Sequence, residues 1–267
     1  MSKKINGCVP VGDTEMYYVS FGNGPKKLIV LPGLSDGLAT VKGKALILSA
    51  PYRRFKDYTV YMFSRKNRMP EGYSIRQMAA DQAEALKALG ITKTSVLGVS
   101  QGGMISQYLA IDHPELVEKL ILAVTAPNAN SIAKACVSSW IGSSQKGDHV
   151  GLMVDTAEKM YSQGYLKKNR KFFPLIARFT KPASYERFLR NAEAILAFDA
   201  RDELSAISCP TLILAGDDDN TVGNDAPHVL KERIKDSRMY IYPGYGHGIF
   251  EECPDFYERV LDFLENG

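Results

Sequence analysis

The sequence predicts an α/β protein with a mainly parallel central sheet, flanked by helices and interrupted by a helical cap. Short apolar runs alternate with helical patterns along most of the 267 residues, which is typical of parallel strands joined by right-handed helical crossovers. The alternation stops between residues 126 and 205 and resumes at Cys209. We therefore predict a core domain formed by residues 1–126 and 206–267, and a helical cap (lid) insertion formed by residues 127–205.

Seven runs are predicted as strands, because each is a short apolar or alternating stretch between turn residues. They are residues 14–20, 27–31, 58–63, 95–99, 120–124, 211–215 and 239–242. Apolar residues at helical spacing predict helices over residues 74–89, 101–112, 227–234 and 254–264. The first of these helices is followed by Gly90, at the position where a C-cap glycine belongs.

Composition argues against several classes of protein. The chain is 45% hydrophobic and 24% charged, as ordinary globular domains are, and its net charge of +3 predicts no nucleic-acid or membrane-surface partner. No apolar run approaches the roughly 20 residues that span a bilayer, and the basic segment Met1–Gly7 lacks the apolar stretch of a secretory leader. Four widely separated cysteines form no CxxC pair, so we expect reduced thiols, no metal site and a cytoplasmic location.

A candidate nucleophile stands in the run Gly98-Val99-Ser100-Gln101-Gly102. This G-x-S-x-G pattern is weak by itself, but an apolar strand runs into it and a helical pattern leaves it. That context is the nucleophile elbow, whose turn is too sharp for side chains at the flanking glycines. Ser100 would stand at the start of a helix, where free N–H groups favour developing negative charge. The alternative is an ordinary glycine-rich turn.

A serine hydroxyl needs a base to become nucleophilic, and four histidines are available. His247 lies in a glycine-rich loop after the last predicted strand, and it follows Ser100 in the chain as the order of an elbow fold requires. His113 lies at a predicted helix end, His149 lies in the predicted cap, and His228 lies within a predicted helix. We therefore predict His247 as the base; the alternative is a loop histidine with no role.

The carboxylate that orients the histidine should follow a strand between these two residues. The predicted strand over residues 211–215 leads into Gly216-Asp217-Asp218-Asp219. Neighbouring side chains in an extended turn point in different directions, so one of the three aspartates should face the histidine, and chemistry alone leaves open which one. An acidic surface turn is the alternative interpretation.

With these motifs the sequence resembles the α/β-hydrolase superfamily, in its capped, esterase- and lactonase-like serine hydrolase branch. The resemblance covers nearly the whole chain outside the predicted cap, and it implies an α/β-hydrolase fold. Its motifs lie in the elbow, in residues 112–117, in residues 210–219 and in residues 246–254. In this family the acid usually stands third after the glycine, which selects Asp219.

The sequence departs from the family in two places. Where the family usually has His-Gly after its first long strand, this chain has Pro32-Gly33-Leu34, and where many relatives have Arg-Gly-x-Gly-x-Ser, residues 64–74 differ. The resemblance still implies an oxyanion hole formed by the backbone N–H groups of Leu34 and Gln101. Loss of one such donor costs about 10²–10³ in rate, so the conformation of the loop at Pro32 matters for activity.

The predicted function is a serine hydrolase that cleaves a small carboxylic ester, lactone or thioester through an acyl-enzyme on Ser100. Asp219 and His247 would complete a catalytic triad, which needs no cofactor and no metal. The expected partner is a small-molecule acyl substrate, and the chain is expected to be a monomer or homodimer. Two alternatives remain: a triad-bearing ligand-sensing or signalling protein with slow or no turnover, and an acyltransferase or C–C bond hydrolase on the same scaffold.

Within the predicted cap, five apolar residues are candidates either for the lining of the pocket or for packing of the cap on the core. They are Trp140, Met153, Phe172, Phe173 and Phe188. The basic run over residues 167–171 would either attract an anionic substrate or, in the simpler interpretation, form a solvated surface.

Overall fold

The central sheet has eight strands. The computed structural model describes residues 3–267, and Met1 and Ser2, the first residues of the segment without a secretory pattern, lie outside the described residues. The strands are β1 Lys4–Val11, β2 Thr14–Gly22, β3 Lys26–Leu31, β4 Tyr58–Lys66, β5 Thr94–Val99, β6 Val117–Ala123, β7 Thr211–Gly216 and β8 Ser237–Tyr242. Their order in the sheet is β1-β2-β4-β3-β5-β6-β7-β8. The pairs β1–β2 and β2–β4 are antiparallel and the others are parallel, which confirms the predicted fold class.

The sequence pattern does not predict β1. Four of its eight residues are exposed, and the strand contains Gly7 and Pro10, residue types that normally mark turns. The strand lies at the edge of the sheet beside β2, and an edge strand tolerates a proline because one side of its backbone needs no ladder hydrogen bonds. The missing signal therefore follows from the position of β1 at the edge.

Eleven α-helices connect and cover the strands within residues 3–267. They are α1 Ala45–Leu48, α2 Ile75–Ala88, α3 Gln101–Asp112, α4 Ser131–Gln145, α5 His149–Met160, α6 Gln163–Asn169, α7 Phe173–Thr180, α8 Glu186–Leu196, α9 Ala226–Arg233, α10 Ile249–Glu252 and α11 Phe256–Asn266. The side chain of Ser74 caps α2 by accepting the Gln77 N–H, and Gly90 follows that helix with a φ of +68°. None of the helices within residues 3–267 has the length and hydropathy that a membrane-spanning helix needs.

The sheet separates two apolar layers. In β3, Ile29 and Leu31 belong to the layer formed with α2 and α3, whereas Leu28 and Val30 belong to the layer formed with α11. Successive side chains of a strand alternate between the two faces of a sheet. Burial on both faces explains why residues 28–31 are apolar throughout.

Residues 127–205 contain the five helices α4–α8 in place of the alternation of strands and helices. The segment leaves after β6 and returns before β7, and several polar contacts bind it to the core. Arg187 Nη2 donates a hydrogen bond to Asp36 Oδ2 at 2.7 Å, and Ser162 Oγ donates one to Glu252 Oε2 at 2.6 Å. The boundaries of the cap stay a prediction.

The strand order reverses at β3, because β4 lies on one side of it and β5 lies on the other side. Ligands of open α/β sheets bind outside the carboxyl ends of the strands, at the point where the strand order reverses. The loop after β3 carries Leu34, and the turn after β5 carries Ser100. Two of the segments predicted to hold functional groups therefore meet at the expected edge.

Candidate active site

Ser100 occupies a strained turn between β5 and α3. Its φ of +54° and ψ of −119° lie outside the regions that L-residues ordinarily adopt, and such strain persists only where the surroundings impose it. A Cβ atom on Gly98 would lie 2.6 Å from the carbonyl oxygen of Gly102, and one on Gly102 would overlap the carbonyl oxygen of Leu31. Steric contacts with backbone atoms therefore require both glycines of the motif.

His247 lies in the loop between β8 and α10, and its side chain is buried. Its Nε2 atom lies 2.9 Å from Ser100 Oγ, and its Nδ1 atom lies 2.8 Å from Asp219 Oδ2. A carboxylate can only accept a hydrogen bond, so Nδ1 carries the ring proton of the neutral imidazole and Nε2 is left to accept the serine hydroxyl. The structure thus brings Ser100, His247 and Asp219 together in the order that proton transfer requires.

The structure distinguishes the three adjacent aspartates. Asp219 is buried, and its Oδ1 atom accepts the backbone N–H groups of Thr221 at 2.8 Å and Val222 at 3.0 Å. These bonds hold the carboxylate in place while Oδ2 faces the histidine. Asp217 accepts the Gly244 N–H, and Asp218 is exposed. Chemistry alone left this choice open, and the geometry brings only Asp219 to the imidazole.

The other three histidines lie elsewhere. His149 Nε2 on α5 is 3.2 Å from Thr180 Oγ1 on α7, and burial and the charge of Lys181 lower the pKa of the imidazole. His113 lies after α3, and His228 is exposed on α9. None of the three lines the cavity above Ser100.

The backbone amides of Leu34 and Gln101 lie at two helix starts beside the nucleophile. Leu34 opens a short 3₁₀ helix that ends at Gly37, and Gln101 is the first residue of α3. Within residues 3–267, neither amide donates to a backbone or side-chain acceptor. A Cβ atom on Gly33 would lie 3.3 Å from Ser100 Cβ, so the loop passes directly against the nucleophile. Two free N–H donors at such positions can bind developing negative charge.

A buried arginine joins these two segments, and the sequence motifs did not reveal its role. Arg65, near the end of β4, donates from Nη2 to the carbonyl oxygen of Pro32 at 2.7 Å and to Gln101 Oε1 at 2.9 Å. Gln101 in turn donates from Nε2 to the carbonyl oxygen of Asn191 on α8. Burial lowers the pKa of Arg65 to about 10, against the opposing effect of Asp36. The one available signal was an arginine directly after an apolar strand pattern.

Asp36, a buried carboxylate close to this arginine, forms an ion pair with Arg187. Its Oδ2 atom accepts the backbone N–H of Arg65 at 3.0 Å and the Nη2 group of Arg187 at 2.7 Å. Burial alone would raise the pKa of Asp36, but the charges of Arg187 and Arg65, together with hydrogen bonds, hold it below its usual value. Because Asp36 belongs to the 3₁₀ helix that starts at Leu34, this network holds the loop beside Ser100 from both the core and α8.

A cavity of about 660 Å³ lies above Ser100 and His247. Most of its lining is aliphatic or aromatic. Four of the five predicted cap residues contribute to it, namely Trp140, Met153, Phe173 and Phe188. Phe172 does not line the cavity, and its side chain is exposed. The basic run over residues 167–171 also lies outside the lining.

One carboxylate faces this cavity among the residues of 3–267 that line it. It belongs to Glu251 on α10, whose Oε2 accepts the phenolic O–H of Tyr161 at 2.5 Å. Burial raises the pKa of Glu251, the hydrogen bond from Tyr161 lowers it, and the neighbouring charge of Glu252 raises it, with a net increase.

The fold and the site together define the class of the protein. An eight-stranded, mainly parallel sheet with a serine at a strained strand-to-helix turn, bonded to a histidine after the last strand, is the arrangement of an α/β hydrolase. Residues 56–254 match the family model of the alpha/beta hydrolase fold, and the chain belongs to this family.

Several known proteins are similar along nearly their whole length. RutD of Azorhizobium caulinodans, which is provisionally named a carbamate hydrolase, is 26% identical over 255 residues, or 94% of each chain. The α/β hydrolase enzyme MGS-M2 from a Medee basin deep-sea metagenome library has a TM-score of 0.85 at 17% identity, over 98% of each chain. The enol-lactonase from Burkholderia xenovorans LB400 has a TM-score of 0.82 at 22% identity, over 97% of this chain and 100% of that one. At these identities the two solved structures establish the shared fold.

Proposed function

We propose that the protein is a serine hydrolase that cleaves an ester, lactone or thioester of an apolar carboxylic acid through an acyl-enzyme on Ser100. The observation that carries the proposal is the pair of hydrogen bonds at His247, 2.9 Å to Ser100 Oγ and 2.8 Å to Asp219 Oδ2. A serine becomes nucleophilic when a neighbouring base takes its proton and a third group orients that base. These contacts supply the base and the orienting group.

In the proposed reaction, Ser100 Oγ attacks the acyl carbon while His247 Nε2 accepts the hydroxyl proton. Asp219 keeps the other ring proton on Nδ1 and stabilises the imidazolium. The carbonyl oxygen becomes an oxyanion that the N–H groups of Leu34 and Gln101 bind. His247 then gives its proton to the leaving oxygen or sulfur atom. A water molecule, deprotonated by the same nitrogen, attacks the acyl-enzyme and releases the acid and free Ser100.

The cavity supports an apolar acyl group as the substrate. A volume of about 660 Å³ is typical of small-molecule sites, which are mostly apolar with a few polar groups that fix orientation. The similar proteins are named for different bonds, one as a lactonase and one as a carbamate hydrolase. A carbamate is small and polar and would leave most of this lining against water, whereas a carbon chain would bury it. An ester or lactone therefore fits the cavity better.

We further propose that residues 127–205 act as the cap over this site. Trp140 of α4 and Phe188 of α8 line the same cavity as Ser100. Both residues belong to the helices that lie between β6 and β7, outside the alternating series of strands and helices. A lid built from such helices excludes water from the acyl-enzyme and selects the acyl group. Size preference among substrates should therefore depend on cap residues and not on the sheet.

The test measures hydrolysis of p-nitrophenyl esters of increasing acyl length and of a γ-lactone. Wild-type protein should turn over several of them, and Ser100→Ala should lower kcat by about 10⁶ because the covalent step is lost. Ser138→Ala is the matched control, since Ser138 is exposed on α4. Equal rates for wild type and Ser100→Ala would contradict the proposal. Binding of these compounds without any turnover would favour the ligand-sensing alternative instead.

A further inference from the structure

Helix α7 carries an apolar face that points to solvent. Leu175, Ile176 and Phe179 on α7, together with Phe172 at its N-cap, follow the i, i+3, i+4, i+7 spacing of one helix face. All four are exposed, Phe179 to 82%. A face with this spacing ordinarily packs against a protein core. The opposite face of α7 already does so, since Ala177 is buried. The outward face thus has the pattern of a packing surface that the rest of residues 3–267 covers only in part.

A second apolar element lies across the mouth of the cavity. Leu46 and Ile47 on α1 are 71% and 74% exposed. Of the eight large apolar side chains exposed in residues 3–267, six belong to α1 or to the α7 face. Ile47 and Ile176 also line the cavity, and a side chain that is both exposed and part of the lining marks where the cavity meets solvent. The mouth therefore opens between α1 and α7.

The segments that carry these apolar residues are strongly basic. Residues 42–56 contain five Lys or Arg, residues 163–185 contain six, and neither segment contains Asp or Glu. Together they carry a charge of +11, against +3 for the whole chain. In the described part of the protein, Arg54 and Arg170 form salt bridges, with Glu258 and Glu158, and the other nine basic residues form none. The small net charge hides this separation of charge.

We propose that α1, the α7 face and the basic residues of 42–56 and 163–185 form a docking face for an anionic lipid bilayer. Exposed apolar side chains flanked by Lys and Arg are the combination that binds the interface of such a membrane. The apolar groups enter the boundary between headgroups and acyl chains, and the basic groups approach the lipid phosphates. The mouth of the cavity then faces the bilayer, so an amphiphilic substrate enters without crossing water.

This distribution of charge and apolar residues argues against the two other candidate occupants of the docking face, a second copy of the chain and a nucleic acid. A second copy of the chain would bring +11 against +11, and like charges oppose such an association. Nucleic acid would satisfy the basic residues, but its phosphate backbone offers nothing to aliphatic side chains such as Leu46 and Leu175. An anionic bilayer satisfies both the charge and the apolar groups.

The experiment is flotation of the purified full-length protein with two kinds of vesicle, one of phosphatidylcholine alone and one that also contains phosphatidylglycerol. The protein should float with the anionic vesicles and remain behind with the neutral ones. Higher salt should reduce flotation, because salt screens exposed charges. Ser100→Ala should float as the wild type does, so the result does not depend on catalysis.

Two variants and their controls test the residues. Leu175→Ser/Phe179→Ser and Lys167→Gln/Lys168→Gln/Lys171→Gln should each lower the fraction bound by about tenfold. Ile132→Ser, also exposed, and Lys87→Gln/Lys93→Gln/Lys235→Gln, three exposed lysines outside the docking face, should bind as the wild type does. Turnover of a water-soluble short ester should stay unchanged in all four variants, because none of these residues lines the cavity.

Three outcomes would overturn the proposal. The first is no flotation with anionic vesicles, and the second is equal loss in the docking-face and control variants. The third is a concentration-dependent dimer in sedimentation velocity without lipid that Leu175→Ser/Phe179→Ser abolishes, since the face would then join two copies of the chain.

Discussion

The proposed proton relay depends on both ring nitrogens of His247, and Asp219 controls one of them. Asp219→Asn should keep the bonds from Thr221 and Val222 to Oδ1, because an amide oxygen also accepts. Its Nδ2 group would then face Nδ1 of the imidazole and force the ring proton onto Nε2. That tautomer cannot accept the serine proton, so kcat should fall by about 10⁴ with little change in stability. Steady-state hydrolysis of a p-nitrophenyl ester measures the effect.

Asp218→Asn is the control for this prediction. Asp218 is exposed, and its side chain accepts a hydrogen bond only from Asn220 among the residues described. Its substitution should leave kcat as in the wild type. If kcat fell as much in Asp218→Asn as in Asp219→Asn, the negative charge of the loop would matter for activity, and not the hydrogen bond between Asp219 and His247.

Individual residues differ in how far the sequence could identify them. Ser100 and His247 carry local signals, since one needs its flanking glycines and the other has few competitors. Asp219 has two neighbours of the same chemistry, and only the backbone bonds after β7 decide which carboxylate turns inward. The position of Arg65 after an apolar strand pattern could not reveal its role, because that role depends on Pro32 and Gln101, which are far away in sequence.

The strand–turn–helix around Ser100 is the element with the tightest packing. Helix α3 crosses β3 at Gly102, where an added Cβ atom would overlap the carbonyl oxygen of Leu31. Backbone atoms of a central strand cannot move aside cheaply, so Gly102→Ala should destabilise the protein by about 3 kcal/mol or more. Urea unfolding followed by circular dichroism measures the change.

Gly142→Ala is the matched control, because Gly142 also lies in a helix, α4, and no atom lies within 4 Å of the position of an added Cβ. Alanine favours the helix there by about 0.5–1 kcal/mol. The two substitutions should therefore have opposite signs. A similar loss of stability in both proteins would show that helical glycines matter here for a reason other than close approach.

The helices and strands whose sequence pattern marks both ends were predicted best. Helix α3 has the predicted bounds, because its strand, turn and following Pro114 define both ends. The strand predicted over residues 120–124 ends one residue early, at Ala123, since Val124 adopts a φ of +44°. The outward face of α7 could not be anticipated, because the same spacing predicts a buried helix and only the fold shows that the face is exposed.

At the scale of the whole molecule, one buried ionic network connects three distant parts of the chain. Asp36 follows β3, Arg65 lies near the end of β4, and Arg187 comes from α8 among the helices predicted as the cap. Such a network is invisible in the sequence, because 151 residues separate Asp36 from Arg187. It also holds the loop after β3, because Arg65 donates a hydrogen bond to the carbonyl oxygen of Pro32.

Loss of Asp36 should therefore weaken the whole fold. Asp36→Asn leaves the mostly buried Arg187 without its carboxylate, and removal of one partner of a buried ion pair costs about 3–5 kcal/mol. Because the pKa of Asp36 is lowered in the folded protein, its stabilisation is complete above the unfolded pKa of about 3.9 and is lost as the pH falls through the folded value. The difference between wild type and variant should be constant from neutral pH down to about pH 5 and shrink below about pH 4.

Urea unfolding across that pH range measures the difference, and Asp199→Asn provides the comparison. Asp199 pairs with Arg201 at 2.7 Å, but both side chains are about half exposed, and such a pair contributes about 0–1 kcal/mol. The Asp199 variant should stay close to the wild type at every pH. A deficit in Asp36→Asn that stays the same down to pH values below about 4 would attribute the loss to packing, because a charge effect must disappear once the wild-type carboxylate is protonated.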